Sequence, residues 1–259
     1  MILSRISKAI REQNWLAVAI EFVIVILGVV IGFQVTSWAD RQAEAARVEL
    51  YLDRLITDLE ENEQRFANAL TFRSNVREMG LEALAYANGS RVPADSWRVV
   101  LTYFNASQAG GAEVVDATYR EMVATGDLRL LRDLDLRGRL SAYYSSSGNG
   151  YITEELPAYR EDVRAIIPIS IQTYIWEHCH EALDARGQRL LNCDAPETDA
   201  DALSALATRL MQDDALNGRL RYWVSSQYAA VGIHTTQTNL TREMLQGLRQ
   251  ARNASGGEE

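Results

Sequence analysis

The stretch EHCHEALD, residues 177–184, contains four side chains of types that bind transition metals: His178, Cys179, His180 and Glu181. Residues two apart on a helix point about 200° from each other, so His178 and His180 cannot bind one ion from a helix, although they could from an extended segment. The zinc-protease pattern H-E-x-x-H is also broken, because Asp184 stands where the second histidine would be. We therefore predict no metal site here.

Other catalytic patterns are missing as well. The sequence contains no G-x-S-x-G, Walker or G-x-G-x-x-G motif, and its acidic residues are scattered among arginines, as on a solvated helix face. We interpret the remaining histidine, His234, as a capped or solvated helix residue rather than a catalytic base. The sequence thus predicts no catalytic residue, no cofactor and no enzymatic activity. A metal-dependent enzyme using His178 and His180 is the weakest alternative.

The two cysteines, Cys179 and Cys193, are separated by a short loop. Two cysteines can pair with each other, and an oxidising compartment outside the cytoplasm favours such pairing. We predict a disulfide that holds the loop EALDARGQRLLN, with two buried free thiols as the alternative.

The N-terminal region contains a segment suited to crossing a bilayer. Residues 15–38 carry one charged side chain, Glu21, and a helix of this length can span a hydrocarbon core of roughly 30 Å. Residues 1–14 carry a net charge of +2, so the positive-inside tendency places them in the cytoplasm. We predict a transmembrane helix over 15–38, a periplasmic domain over 39–252 and a disordered tail over 253–259.

The alternative is a cleaved secretory signal, because Ser37-Trp38-Ala39 fits a small-x-small cleavage site, although the apolar region is long for a signal.

The predicted membrane helix has one distinctive face. At 100° per residue, Glu21, Gly28 and Gly32 point within about 40° of one another. Glycines four apart let a second helix approach closely, and a carboxylate in hydrocarbon is costly unless it is paired or near water. We predict that this face contacts a second copy of the chain or another membrane protein. In the alternative, Glu21 reaches the cytoplasmic interface by itself and the glycine spacing arises by chance.

Charge and composition limit the partners further. The net charge is −9, so the residues after position 14 carry −11, which disfavours nucleic acid and anionic lipid headgroups as ligands. The 26 basic residues include one lysine, Lys8, and such arginine bias favours a GC-rich bacterial source. The bilayer itself is the expected environment of residues 15–38.

The chain outside the membrane is predicted to be all-α, with the membrane helix continuing into a long helix and then a helical bundle. The first proline or glycine after the anchor is Gly80, and a 3-4 apolar spacing is interrupted by Asn62 and Arg73. The members of that seam are Ala45, Val48, Leu52, Leu55, Leu59, Phe66 and Ala69. Further helices are expected at about 94–107, 116–125 and 213–252. We find no convincing strand.

A weak internal repeat follows the first helices. RLLRDLDLRGRLSAYYSS, residues 129–146, aligns with RLMQDDALNGRLRYWVSS, residues 209–226, and each copy contains an aspartate suited to capping a helix. Duplication of a helical unit and convergence on a common cap pattern are both open.

Most of the chain up to about residue 145 resembles an uncharacterised family of bacterial single-pass membrane proteins with a domain of unknown function. The resemblance rests on an early glutamate in the membrane helix, on G-x-Q-x-x-x-W at its exit and on a following Y-L-x-x-L-x-x-D-L. Here these positions are Glu21, Gly32, Gln34, Trp38, Tyr51, Leu52, Leu55, Asp58 and Leu59. YREMVATGDLRLLRDLDLRGRLSAYY resembles a second block of that family, whereas Ser37 stands where its members often have Asn. The resemblance implies a helical protein with one membrane span, and it implies no activity.

These observations favour an inner-membrane protein whose periplasmic helical domain serves as an interaction, scaffolding or accessory-subunit module. The alternative is a periplasmic module that senses a small ligand between its helices and signals through a membrane partner. A ligand-dependent rise in thermal stability would distinguish the second from the first.

Overall fold

A computed structural model describes residues 15–147, 156–184 and 187–255 of the chain. Within these ranges the chain forms eight α-helices, one 3₁₀ turn and one two-stranded hairpin, which confirms the all-α fold class. The elements are α1 Trp15–Ala87, α2 Ser96–Ala106, α3 Ala117–Thr125, the 3₁₀ turn Asp127–Leu130, α4 Leu134–Ser147, α5 Ala158–Ile166, α6 Ile169–His178, β1 His180–Ala182, β2 Gln188–Leu190, α7 Ala200–Gln212 and α8 Asp214–Ser255. The predicted cytoplasmic segment 1–14 and residues 256–259 of the predicted tail lie outside the described residues.

The chain divides into two compact units, residues 1–51 and 52–259, and α1 contributes to both. In the first unit the side chains from 19 to 50 are exposed, apart from Ser37 and Val48, which are half-buried. The most apolar 18-residue stretch of α1 has a mean hydropathy of 2.3, and none of it is buried. By length and composition this helix could cross a membrane.

In the second unit, α1 buries one continuous stripe. The predicted seam is confirmed from Leu52 onward, whereas Ala45 is exposed and Val48 is half-buried. Asn62 and Arg73, the two predicted interruptions, are both 0% exposed. Both polar residues therefore belong to the buried stripe, although the apolar spacing alone indicated that they interrupt it.

Asn62 fixes the segment that leads into α3. Its Nδ2 donates to the Val115 carbonyl oxygen (2.9 Å), and its Oδ1 accepts from the Val115 backbone N–H (2.7 Å). One turn earlier, Asp58 accepts from the backbone N–H of Thr118 at the start of α3 (3.2 Å). The buried amide thus satisfies a backbone donor and acceptor that no helix or strand partner would reach.

The core surrounds α2, which begins after Asp95 and packs against α5 and α7. The Oδ1 of Asp95 accepts from the Arg98 backbone N–H (2.7 Å), a standard N-cap. Every residue from Trp97 to Ala106 is buried except Arg98. Because neighbours cover α2 on all sides, it lacks the polar face of a surface helix.

The two copies of the predicted repeat share the same helix start. Asp133 accepts from the backbone N–H of Leu136 (3.1 Å), and Asp213 accepts from that of Leu216 (2.9 Å). The preceding elements differ, since a short 3₁₀ turn precedes Asp133 and α7 precedes Asp213. The cap prediction is confirmed, and duplication stays a hypothesis.

Helix α8 runs antiparallel to α1 within the second unit. Three ion pairs join the helices in reversed order: Arg242 with Glu63 (2.6 Å), Arg249 with Glu60 (2.7 Å) and Arg252 with Asp53 (3.2 Å). Such exposed pairs stabilise little individually, and they indicate the register of the two helices. Helix α8 ends at Ser255, three residues beyond its predicted end.

The hairpin is the main departure from the predicted fold, because no strand was predicted. β1 and β2 pair antiparallel, with His180 opposite Leu190 and Glu181 opposite Arg189. The Arg189 guanidinium and the Glu181 carboxylate lie 3.1 Å apart across the strands. Each strand has three residues, which is too short for an alternating apolar pattern to be visible in the sequence.

Candidate functional site

The proposed membrane-helix face occupies the first unit. Glu21, Gly28 and Gly32 all lie on α1, where helical geometry directs them to one side, and all three are exposed. A methyl group added at Gly28 or at Gly32 would have nothing within 4 Å. Packing inside the described chain therefore does not require either glycine. Since glycine in a helix interior destabilises it by about 1 kcal/mol relative to alanine, two bare glycines favour a surface that receives another backbone.

Thr36 extends the four-residue spacing of Gly28 and Gly32 toward the end of the apolar stretch. Its hydroxyl donates to the Gly32 carbonyl oxygen (3.0 Å), so this polar group is satisfied within its own helix. A hydroxyl satisfied in this way can sit in an apolar environment. The sequence analysis missed Thr36, although a third small residue at the same spacing was the available signal.

The cysteine pair closes the base of the hairpin. Cys179 and Cys193 are disulfide-bonded, with Cα atoms 5.2 Å apart, and Cys179 is 0% exposed at the end of α6. The backbone N–H of Leu191 donates to the Cys179 carbonyl oxygen (2.8 Å), and the Trp97 indole N–H donates to that of Cys193 (2.9 Å). The bond thus joins α6 to a segment that is itself held against α2.

The two histidines of EHCHEALD have separate environments. His178, at the end of α6, stacks on the Tyr174 ring (centroids 4.2 Å apart), and its Nδ1 lies 3.0 Å from the Tyr174 carbonyl oxygen. His180, on β1, forms a hydrogen bond through Nε2 with Gln188 Oε1 (2.7 Å). Within the part of the chain that the structure describes, no group of three or more His, Cys, Asp or Glu side chains is placed to hold a metal ion.

A buried polar cluster lies between α1 and α8 in the second unit. Arg73 donates to the Gln227 Oε1 (3.2 Å), and its guanidinium carbon lies 5.7 Å from the centroid of the Trp223 ring. Burial lowers the pKa of Arg73 to about 10, so the side chain stays charged at neutral pH. A buried arginine held by an amide and an aromatic ring fixes how the two helices pack.

His234 belongs to the same region and corrects the interpretation of a solvated side chain. It is 2% exposed, packs 6.5 Å from the Phe66 ring centroid and bonds through Nδ1 to Gln237 Oε1 (3.1 Å). Burial, and then the charge of Arg73, lower the pKa of His234 to about 4. His234 is therefore neutral and bonded to an amide rather than to a nucleophile. Its role here is in packing.

Surface grooves among the described residues of the second unit include two with measurable volume. One has a volume of about 700 Å³ along α7 and its end; the other, of about 350 Å³, lies beside the pair Glu63–Arg242. Both open widely to solvent, so neither would bury most of a small ligand, as typical ligand sites do. The grooves give the ligand-sensing alternative no specific support.

Comparison of the chain with protein-family models, curated proteins and solved structures found no match. Three features of the described chain bear on function: the exposed apolar stretch of α1, its glycine-bearing face and the disulfide. All three were predicted from the sequence, whereas the buried roles of Asn62, Arg73 and His234 were not.

Proposed function

We propose that this protein is a single-pass protein of a bacterial inner membrane, with residues 1–14 in the cytoplasm and the helical domain in the periplasm. It acts without enzymatic activity of its own, as an interaction, scaffolding or accessory-subunit module. The observation that carries this proposal is the apolar stretch of α1, with a mean hydropathy of 2.3 over 18 residues and no buried residue. An apolar surface of this length matches lipid rather than water.

Charge and cysteine chemistry support the orientation. The net charge of +2 before the apolar stretch favours the cytoplasm for residues 1–14, and the remaining chain carries −11. A disulfide between Cys179 and Cys193 is typical of an oxidising compartment such as the periplasm.

The face formed by Glu21, Gly28 and Gly32 joins a second copy of the chain or another membrane protein. Bare glycines allow two helix backbones to approach closely, and the contact energy then comes from packing and from backbone contacts. A partner helix over this face would also supply a neighbour for the Glu21 carboxylate, which hydrocarbon alone would not stabilise.

A membrane two-hybrid assay of the full chain tests this face. We expect the double variant G28L/G32L to lose most of the association signal, because leucine side chains separate the two backbones. The variant I26L/V30L is the matched control, since Ile26 and Val30 are also four apart and point to the opposite side of α1. Equal signals from wild type, variant and control would refute the proposed face.

Cell fractionation distinguishes a retained membrane anchor from a cleaved signal peptide. We expect the full-length chain, with its N-terminus intact, in the membrane fraction of a bacterial host. A mature protein that begins at Asp40 in the soluble periplasmic fraction would instead establish a signal peptide and exclude an anchor.

A further inference from the structure

Two neighbouring arginines on α5 have no acidic partner among the described residues. Arg160 and Arg164 are one helical turn apart and half-buried, and no described carboxylate forms an ion pair with either. Of the other half-buried arginines, Arg54, Arg65, Arg77 and Arg98 each pair with a glutamate, whereas Arg137 forms no ion pair with a described carboxylate. A half-buried cation has lost part of its hydration, so it needs compensating acceptors.

The acceptors that these arginines do have are neutral. Arg160 Nη1 and Arg164 Nη2 each lie 3.2 Å from the same atom, Oε1 of Gln108. Arg160 also donates to the carbonyl oxygen of Ser107 (3.0 Å). Gln108 and Ser107 are both buried at the end of α2, so they hold the two guanidinium groups side by side without neutralising them.

Aromatic rings fix the orientation of Arg164. Its guanidinium carbon lies 4.7 Å from the Phe104 ring centroid and 5.3 Å from that of Trp176. Contacts with two aromatic rings restrain the position of a guanidinium group. The arginine is therefore arranged before any ligand arrives.

Placing the two cations together is electrostatically unfavourable. Burial lowers the pKa of Arg160; burial and then the charge of Arg160 lower the pKa of Arg164 to about 10. The adjacent Asp162 pairs with Arg219, and Glu161 is exposed, so the same helix carries two carboxylates that do not neutralise the arginines. Two partly desolvated cations that no described carboxylate neutralises mark a candidate anion site.

Three guanidinium nitrogens have no partner among the described residues: Nε and Nη2 of Arg160 and Nη1 of Arg164. None of the three is a buried unsatisfied atom, so each reaches solvent. We propose that Arg160 and Arg164, held by Gln108, form a binding site for an oxyanion, namely the phosphate or carboxylate group of a small soluble molecule. Paired arginines recognise both groups through charge-assisted hydrogen bonds. This site does not depend on the proposed membrane contact.

Chemical protection tests the site in the wild-type protein. The full chain, in a maltoside detergent that carries no phosphate or carboxylate, is treated with phenylglyoxal in chloride, inorganic phosphate or succinate at equal ionic strength. Mass spectrometry then measures the modification rate of each arginine. At an anion concentration ten times the Kd, we expect about tenfold slower modification of Arg160 and Arg164, and an unchanged rate at the exposed Arg221.

The pattern of protection identifies the ligand class. Protection by phosphate alone indicates a phosphate ligand, protection by succinate alone indicates a carboxylate ligand, and protection by both leaves the shared oxyanion chemistry as the result. Equal rates in all three buffers would overturn the proposal.

Substitution provides an independent test. We expect phosphate or succinate to raise the thermal midpoint of the wild type saturably, and the apparent Kd to rise at least about tenfold in Arg160→Gln and Arg164→Gln. Arg221→Gln is the matched control and should retain the wild-type response. Circular dichroism checks that each variant is folded, and a variant that is not folded leaves the decision to the protection assay. An undiminished response in both folded variants would contradict the site.

Discussion

Removal of the bond between Cys179 and Cys193 should destabilise the second unit by about 3 kcal/mol at 25 °C. The cysteines are 14 residues apart, and the entropy that a cross-link removes from an unfolded loop of about this length corresponds to that value. For a domain of this size, each kcal/mol lowers the thermal midpoint by about 2–4 °C. We therefore expect a decrease of about 6–12 °C.

The choice of variant follows from burial. Cys179 is fully buried, so replacing it would add a cavity to the loss of the bond, whereas Cys193 is half-buried. Cys193→Ala therefore isolates the effect of the bond more cleanly. The Trp97 indole N–H donates to the Cys193 carbonyl oxygen, so tryptophan fluorescence reports on this region directly.

Urea unfolding of the detergent-purified wild type and Cys193→Ala, monitored by tryptophan fluorescence, measures the difference. A reductant that reaches the bond should bring the wild type to the midpoint of the variant and leave the variant unchanged. A variant within about 0.5 kcal/mol of the wild type would refute the cross-link argument, since ordinary surface substitutions change stability by that much. The same result would remove one support for a periplasmic location.

Three further predictions concern buried contacts of the second unit, and each is measured by urea unfolding. Because the pKa of His234 is lowered from 6.5 to about 4, the unfolded chain takes up a proton at a higher pH than the folded protein does. The contribution of His234 to stability is therefore complete above pH 6.5 and decreases as the pH falls to about 4. Between pH 7 and pH 5 the wild type should lose about 2 kcal/mol more than His234→Gln, and parallel pH profiles would contradict this. Gly80→Ala should not gain the roughly 1 kcal/mol that alanine brings to a helix interior, because the added methyl group meets the Val224 side chain; a midpoint raised by that amount would mean that Val224 moves freely. Asn62→Ala should destabilise by about 1–3 kcal/mol, because it leaves the Val115 backbone without its partners, and an unchanged midpoint would mean that water replaces them.

The parts of the fold that the sequence predicted depend on local chemistry. Gly126 ends α3 with a φ of 75°, a conformation that glycine adopts without strain. Asp133 and Asp213 cap the helices that follow them, as the repeated pattern indicated. The face of Glu21, Gly28 and Gly32 could be identified for the same reason, since it requires only the regular geometry of one helix.

The parts that were missed depend on contacts between distant segments. Asn62 and Arg73 looked like breaks in an apolar seam, because their partners Val115 and Gln227 lie 53 and 154 residues away. A polar residue at a seam position is buried only where such a partner satisfies it, and spacing alone does not reveal the partner. The hairpin was missed because each of its strands is too short to show an alternating pattern in the sequence. His180 and its neighbours pair with residues on the other side of a loop.

The intact mass of the complex in nanodiscs tests the central claim most directly. Full-length wild type, extracted gently and measured by native mass spectrometry, should give a complex heavier than one 29.0 kDa chain, either as a homo-oligomer or with a stoichiometric membrane partner. The variant G28L/G32L should give mainly the single chain, and I26L/V30L should retain the complex. A wild type recovered only as one chain without a partner, or a G28L/G32L complex of unchanged mass, would contradict the proposed role of this face.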